Sequence, residues 1–266
     1  MFAAAGFLLA ANGHIDFGLL AAMLGGLGLV IGSACTFNNV IDRNIDSQMT
    51  RTKKRAVPSK AVSVTSALIY GSFLGAIGFA LIILFTNWLC TLIIAAAWII
   101  YVAVYAAAKR KSVQGTVVGS LAGSAPPLAG YCAVSGRLDA AAVLLFLILT
   151  FWQMPHFYAI ATYRLGDYRA AGLPVLTVKR GIKPAKIQIV AYIVAFIVAC
   201  ALLTTYGYTG YTYLAVMLAL GLAWLWLALK GFKAKNDEKW AKQVFGFSLL
   251  ITVCFSILLA LNAWLP

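Results

Sequence analysis

Long stretches without a charged residue dominate the chain. About 20 helical residues cross the hydrocarbon core of a bilayer, so each shorter stretch predicts one membrane-spanning helix and each of the two longest predicts two. The longest are divided at Thr86-Asn87-Trp88 and at the polar segment 204–212. The pattern therefore predicts eight complete spans. The charge-free stretches are 17–41, 61–108, 112–136, 140–163, 187–229 and 243–266.

The opening segment, Met1 to Ala11, is apolar but has about half the length of a span. No Lys or Arg precedes it and no small-x-small cleavage site follows, so it does not match a signal peptide. We interpret it as the end of a ninth helix whose beginning is truncated here. The expected fold is an all-α polytopic membrane bundle that forms one domain over residues 1–266.

Composition and charge agree with a membrane protein. Hydrophobic residues make up 63% of the chain and charged residues 11%, against about a quarter charged in a soluble domain. Every one of the 21 lysines and arginines except Arg137 lies between or at the ends of the predicted spans on one side of the membrane. The positive-inside rule makes that side cytoplasmic. Loops this short cannot build a nucleic-acid surface, so the net charge of +14 does not indicate one.

Acidic side chains at the end of the second span are the first candidates for chemistry. Asn38, Asp42 and Asp46 are spaced four residues apart, so on a helix each is turned only about 40° from the last. Carboxylate and amide oxygens are ligands suited to Mg²⁺. The cationic cluster Arg51-Thr-Lys-Lys-Arg55 follows, and a metal site beside cations suits a diphosphate. The alternative is an ordinary polar helix end. The other cytoplasmic acids, Asp237 and Glu238, are interpreted as a solvated mixed-charge turn.

A second candidate stripe begins inside the membrane. On a continuous helix Tyr163 and Asp167 lie within about 20° of His156, and Asp167 is at the cytoplasmic end. A histidine in a span is a functional-site hypothesis by default. The alternative is a structural histidine bonded to a backbone carbonyl that Pro155 frees. Pro126 and its neighbour Pro127 are expected to interrupt the fifth span beside a pocket.

These motifs resemble the UbiA superfamily of intramembrane prenyltransferases, which are nine-helix bundles. The resemblance rests on Asn38-x-x-x-Asp42-x-x-x-Asp46 and the cationic cluster after it. Trp152-Gln-Met-Pro-His-Phe157, the segment 167–176 and the segment 119–131 are similar to the branch of protohaem IX farnesyltransferases. The likeness extends from about Gly6 to the end of the chain.

The resemblance implies that a farnesyl group passes from farnesyl diphosphate to the 2-vinyl group of haem B, with addition of water. It implies Mg²⁺ as cofactor, a bacterial inner membrane, a site open to the cytoplasm and proteins that hand over haem. Asp42, Asp46 and Asp167 are expected to bind the metal, with Asn38 assisting and Tyr163 close to the reacting atoms. The expected substrate-binding residues are Arg51, Lys53, Arg55, Lys109, Arg110, Arg164, Trp152 and His156. Aromatic faces expected to stabilise the farnesyl cation are Tyr163, Tyr158, Trp152, Tyr101 and Tyr105.

Two alternatives remain open at this point. A quinone-precursor prenyltransferase would need no histidine in the membrane and usually has a fuller second acidic motif. A transporter would carry charges towards the midplane, whereas the cytoplasmic-side acids of this chain sit at helix ends.

Overall fold

The computed structural model describes all 266 residues and contains helices but no strands. A π-helix spans Ile100–Tyr105. The α-helices are α1 (Phe2–Ala11), α2 (Phe17–Ile41), α3 (Arg43–Asp46), α4 (Val64–Phe85), α5 (Trp88–Ile99), α6 (Ala106–Lys111), α7 (Gly115–Gly123), α8 (Ala125–Ser135), α9 (Ala140–Tyr163), α10 (Leu165–Ala170), α11 (Leu176–Lys179), α12 (Ile182–Thr205), α13 (Tyr211–Lys230) and α14 (Asp237–Ala260).

Eight helical segments are long and apolar enough to cross a membrane, and α1 is a shorter apolar helix. The prediction of eight spans and a partial ninth helix is confirmed, and the chain is a multi-pass membrane protein. Both predicted breaks are also confirmed. At the first, Asn87 Oδ1 accepts from the backbone N–H of Cys90 at 2.9 Å, and its Nδ2 donates to the carbonyl of Cys132 at 2.7 Å. One side chain thus caps the start of α5 and satisfies a carbonyl near the end of α8.

The fifth span is interrupted at Ser124, between α7 and α8, next to the two prolines. A polar network lies beside this interruption. Ser124 Oγ donates to the carbonyl of Ser120 at 2.7 Å and accepts from Gln153 Nε2 at 2.8 Å. Thr150 Oγ1 also donates to Ser124 Oγ at 2.8 Å. The polar side chains at the interruption therefore find protein partners, as polar groups inside a membrane require.

Helix α9 lies at the centre of the bundle and packs against α7, α8, α12 and α14, while α2 packs against α4 and α1 against α8. The side chains that α9 directs into the bundle are closely packed, and Leu145 and Met154 are fully buried. Large apolar side chains at the periphery face outwards, as in Leu84, which is 74% exposed. An outward apolar surface is what a lipid environment favours, and the central helix is the one that carries the Trp-Gln-Met-Pro-His segment.

The structure corrects the interpretation of Asp237 as part of a solvated turn. Its Oδ1 accepts from Nζ of Lys186 at 2.5 Å, and the same ammonium donates to the carbonyl of Gly231 at 2.6 Å. Lys186 is only 8% exposed and lies against the ring of Trp240. The buried cation therefore ties α12 to the start of α14. Glu238 does behave as predicted, because it pairs only with Lys242 and both side chains are 59% exposed.

Replacing Asp237 by asparagine is expected to destabilise the protein by about 1–3 kcal/mol, because a buried ammonium loses its charged acceptor. Glu238→Gln is the matched control, since it changes the adjacent carboxylate in an exposed pair, and surface pairs contribute about 0–1 kcal/mol. Thermal unfolding of the purified proteins in detergent measures both variants. Equal melting temperatures for the two would contradict the buried tie.

Candidate active site

A cavity of about 570 Å³ opens among the ends of the spans that carry the basic loops. Three cations line it, namely Arg51, Lys109 and Arg164, and no carboxylate does. His156 and Tyr163 line the same cavity from α9. The structure therefore brings together seven of the residues singled out in the sequence, because two more of them, Tyr101 and Tyr105, belong to the rest of the lining. The remaining lining includes Tyr101, Tyr105, Thr116, Gly119, Phe157, Ile160, Tyr168 and Phe245.

The first acidic motif does not lie on one uninterrupted helix, which differs from the sequence prediction. Helix α2 ends at Ile41, and Asp42 has φ −88° and ψ 1° before α3 begins. Backbone bonds of 2.8 Å still run from Asp42 N to Asn38 O and from Asp46 N to Asp42 O. The chain therefore bends at Asp42, so the side chains of Asp42 and Asp46 have different partners.

Lys109 and Asp42 form an ion pair, and Lys109 Nζ also donates to Asn38 Oδ1 at 2.8 Å. The two side chains of the ion pair are 12% and 9% exposed. Arg110 adds a second cation, 3.2 Å from Asp42 Oδ1. Two oxygen atoms of the first motif thus converge on a single positive charge. That convergence is the local geometry a hard cation needs.

Asp46 is 4% exposed and accepts from Arg55 NH1 at 2.8 Å. The hydroxyl of Thr52 donates to the Asp46 carbonyl at 3.0 Å, which ties the basic loop back onto the motif. Of the predicted cations in this loop, Arg51 reaches the cavity, whereas Lys53 is exposed and is not part of the cavity wall.

The second stripe also differs from a continuous helix. Helix α9 ends at Tyr163, and Arg164 has φ −107° and ψ 22° before α10 begins. Asp167 therefore leaves the stripe, and its Oδ2 lies 3.9 Å from NH1 of Arg164. The Arg164 guanidinium lies over the Tyr163 ring at 5.5 Å. Asp167 thus stands behind a cavity cation rather than in the cavity wall.

His156 is held on three sides. Its Nδ1 lies 2.8 Å from Ser248 Oγ on α14. Its ring packs between those of Trp152 and Phe245, with centroids 4.9 and 4.8 Å away. Trp152 is itself fixed by a 2.9 Å bond from Nε1 to the carbonyl of Ser248. The alternative of a carbonyl partner near Pro155 is therefore wrong, and the actual partner is a serine hydroxyl.

Aromatic side chains cover another wall. Tyr101 and Tyr105 stack with centroids 5.5 Å apart on the π-helix, a wide turn that often occurs at functional sites. Lys109 lies 4.7 Å from the Tyr105 ring centre. Tyr168, on α10, was not singled out in the sequence. Burial raises the pKa of its hydroxyl, with the Arg51 charge opposing, so it stays neutral and able to donate a hydrogen bond.

A second cavity of about 280 Å³ lies deeper and is almost wholly apolar. Residues of α2 and α5 line it, including Ala34, Ile94 and Ala97. Tyr101 belongs to the walls of both cavities, and Gly123 of the deeper one is one turn from Gly119 of the charged one. A polar chamber and an apolar chamber therefore adjoin at Tyr101.

The predicted metal ligands are not gathered at one point. No three His, Cys, Asp or Glu side chains form a group able to share a metal, so Asp42, Asp46 and Asp167 do not make up one such group. The donors nevertheless fit Mg²⁺ in type, because Asn38 and Asp42 offer two converging hard oxygens. Mg²⁺ is commonly held by one or two carboxylates plus the phosphates of a substrate.

Comparisons with known proteins agree with this architecture. A model of the UbiA prenyltransferase family matches residues 1–264. A protein from Chromobacterium violaceum named protoheme IX farnesyltransferase 2 is 51% identical over 99% of this chain and 88% of its own length. A structure of digeranylgeranylglyceryl phosphate synthase in membranes matches with a TM-score of 0.82 at 20% identity, covering 98% of this chain and 91% of the other. The structure of a UbiA homolog from Archaeoglobus fulgidus bound to GPP and Mg²⁺ matches with a TM-score of 0.66 at 14% identity. The match covers 97% of this chain and 96% of the homolog. The predicted UbiA-like helical fold is confirmed.

Proposed function

Because the chain belongs to the UbiA prenyltransferase family, we propose that it transfers the farnesyl group of farnesyl diphosphate to the 2-vinyl group of haem B. Water adds in the same reaction, which gives haem O and diphosphate. The observation that carries the proposal is one cavity with cations at one end and a held histidine at the other. The relative named protoheme IX farnesyltransferase 2, 51% identical over 99% of this chain, supports the choice of substrates.

The cationic end of the cavity binds the diphosphate. Arg51, Lys109 and Arg164 line it, and the carboxylates that contact Lys109 and approach Arg164 lie outside the wall, so an anion in the cavity meets cations only. Lys109 is partly buried beside Tyr105, where a charge interaction is stronger than in water. Stabilising the leaving diphosphate lets the bond between the allylic carbon and oxygen break. Lys53, Arg55 and Arg110 lie outside this wall and add to the positive field around it.

Asp42, with Asn38 assisting, is proposed to hold Mg²⁺ beside the diphosphate, and Asp46 and Asp167, which do not form one metal-binding group with Asp42 in this structure, would join it by moving when the ion and the diphosphate bind. When bound, the ion neutralises phosphate charge that the cations alone leave uncompensated. The Archaeoglobus fulgidus homolog binds GPP together with Mg²⁺, which supports a metal in this family. In this chain the convergence of Asn38 and Asp42 on one ammonium supports the same assignment.

The apolar cavity is proposed to take the farnesyl chain. Its α2 wall runs from Cys35 to Leu27 on the same helix that carries Asn38 and leads to Asp42. From Asp42 to Ile31 is about 16 Å along a helix. The extended carbon chain of a farnesyl group spans about 14 Å, given C–C bonds of about 1.5 Å. The diphosphate can therefore meet the cations while the tail occupies the chamber beyond Tyr101.

The allylic cation forms at the junction between the two chambers. Tyr101 and Tyr105 stack there, and their faces can stabilise a desolvated cation by about 2 kcal/mol each. Tyr163 lines the same cavity beneath Arg164. An apolar neighbourhood also keeps water from the cation until the acceptor attacks. Tyr158 is buried against Tyr192 and is not in the cavity wall, so it does not serve this role.

Haem B is proposed to lie against His156, Phe245 and Phe157. The vinyl group attacks the allylic carbon, which forms a carbon–carbon bond and leaves a cation beside the porphyrin. Water then adds at that carbon and releases a proton. Neutral imidazole is a natural ligand for haem iron, which would hold the macrocycle with its vinyl edge towards the junction. The basic loops around the cavity mouth favour the cytoplasmic face of a bacterial inner membrane for this opening.

The test of this function is the haem that accumulates in cells expressing the chain. Mass analysis of extracted haem is expected to show a new species with the mass of haem B plus a farnesyl group and water. An Asp42→Asn variant made in the same host serves as the control. If haem B is unchanged and a newly prenylated quinone appears, the acceptor is a quinone precursor and the proposal is wrong.

A separate prediction concerns chain length. Ala97→Leu narrows the apolar cavity, so turnover with farnesyl diphosphate is expected to fall about tenfold more than turnover with geranyl diphosphate, because overpacking by a branched side chain costs about 1–3 kcal/mol. Ala96→Leu is the matched control, since Ala96 is the adjacent residue of α5 and is exposed. Competition between the two diphosphates in purified enzyme measures the ratio. An unchanged ratio in Ala97→Leu would remove the farnesyl chain from this cavity.

A further inference from the structure

Ser248 is the only polar contact of the His156 ring. Its Oγ lies 2.8 Å from His156 Nδ1, and no protein group bonds to Nε2 on the other side of the ring. Ser248 is fully buried on α14 and is absent from the cavity wall, whereas His156 forms part of that wall. A hydroxyl bonded to Nδ1 of a cavity histidine determines whether the other ring nitrogen, Nε2, carries a proton or a lone pair.

The direction of this bond follows from a second contact. A serine hydroxyl has one hydrogen, and Ser248 Oγ donates it to the carbonyl of Phe245 at 2.5 Å. If the hydrogen pointed at the imidazole instead, two oxygen lone pairs would face each other at that short distance. The lone pair of Ser248 Oγ is therefore what meets His156, so Nδ1 carries the proton.

We infer that Ser248 is a positioning residue that fixes His156 as its Nδ1–H tautomer, with the lone pair of Nε2 presented to the acceptor substrate. The same residue sets the ring plane, because its carbonyl accepts from Trp152 Nε1 at 2.9 Å and Trp152 packs on the imidazole. Phe245, one turn earlier on α14, also packs on the imidazole. One turn of α14 thus determines the proton position and the orientation of the imidazole. The assignment of haem as the group that meets Nε2 rests on the proposed function.

The tautomer can be measured without any substrate. The chain has two histidines, so a His14→Gln background leaves one imidazole. Nitrogen-15 spectra of the labelled full chain in detergent distinguish a protonated from an unprotonated ring nitrogen. We expect a single tautomer with Nδ1 protonated in that background. A spectrum with Nε2 protonated, or an equal mixture, overturns the inference.

Three serine variants then test the cause. Ser248→Ala is expected to give a mixture of tautomers and about a fivefold loss of haem affinity, the equivalent of one neutral hydrogen bond. Ser248→Thr keeps the hydroxyl and should preserve both. Ser256→Ala is the matched control, because Ser256 is buried on the same helix and its hydroxyl has no partner.

The outcomes separate the two proposals. An unchanged tautomer in Ser248→Ala, or altered tautomers with unchanged haem affinity, overturns the positioning role. If Ser248→Ala does not fold, the threonine variant and the spectrum of the His14→Gln background decide. A His14→Gln protein with the expected tautomer that binds no haem overturns the proposed function and leaves the Ser248 geometry intact.

Discussion

Replacing Asp42 by asparagine is expected to lower turnover by about a hundredfold while most of the protein remains folded. The substitution keeps the volume and one acceptor but removes the charge that converges with Asn38 on Lys109. Loss of a charged ligand weakens the binding of both the metal and the diphosphate. Even the loss of a residue that only hydrogen-bonds a metal ligand lowers metal affinity or activity by about 10–100-fold. Initial rates over a range of Mg²⁺ concentrations measure the effect, and excess Mg²⁺ should restore part of the activity because occupancy follows mass action.

The control for Asp42→Asn is Glu238→Gln, which neutralises an exposed carboxylate outside the cavity wall. Asp46→Asn and Asp167→Asn provide a graded series, since Asp46 pairs with Arg55 and Asp167 only approaches Arg164 at 3.9 Å. Equal activity in all four variants would exclude these carboxylates from the metal site.

The second large effect is expected from His156→Ala, which should lower haem affinity by at least about tenfold and shift the haem absorption spectrum. Removing a neutral imidazole exchanges an iron ligand for a void between Trp152 and Phe245. Binding of a farnesyl diphosphate analogue should be almost unaffected, because His156 lies about 10 Å along α9 from the end of that helix at Tyr163. Haem titration and analogue binding, run in parallel on purified protein, separate the two effects.

His14→Ala is the control, since it removes the other histidine from the exposed loop after α1. A purely structural role for His156 would instead lower the melting temperature and leave the haem spectrum unchanged. Equal haem affinity and identical spectra in wild type and His156→Ala would remove His156 from the site.

The family, the prenyltransferase class and the helical membrane fold were all accessible from the sequence, and all three are confirmed. Charged residues are costly inside a bilayer, so charge-free runs mark the spans directly. The interruption beside Pro126 was equally accessible, because proline lacks the donor that a helix requires. Local chemistry was sufficient for these features.

Features that depend on distant residues were not accessible. The bend at Asp42 accompanies its contact with Lys109, which is 67 positions away in the chain. In the sequence Asp237 is typical of a surface acid, and only the folded structure places Lys186 of α12 in contact with it. The π-helix Ile100–Tyr105 is made of ordinary apolar and aromatic residues, so its composition does not predict the wide turn. Ser248 lies in an apolar run where a lone serine is a common packing residue, and only its approach to His156 distinguishes it.

The carboxylates behind the cavity have a consequence for product release. Lys109 rests against Asp42, and Arg164 approaches Asp167, while neither carboxylate belongs to the cavity wall. Lys109, whose side chain is 12% exposed, would be costly to leave unpaired and would then hold an anion tightly. Lys109 and Arg164, two of the three cavity cations, each have a nearby carboxylate to contact when the diphosphate departs. These carboxylates compete with the diphosphate product for the same cations. The competition weakens product binding and so favours release of the diphosphate from the cationic cavity.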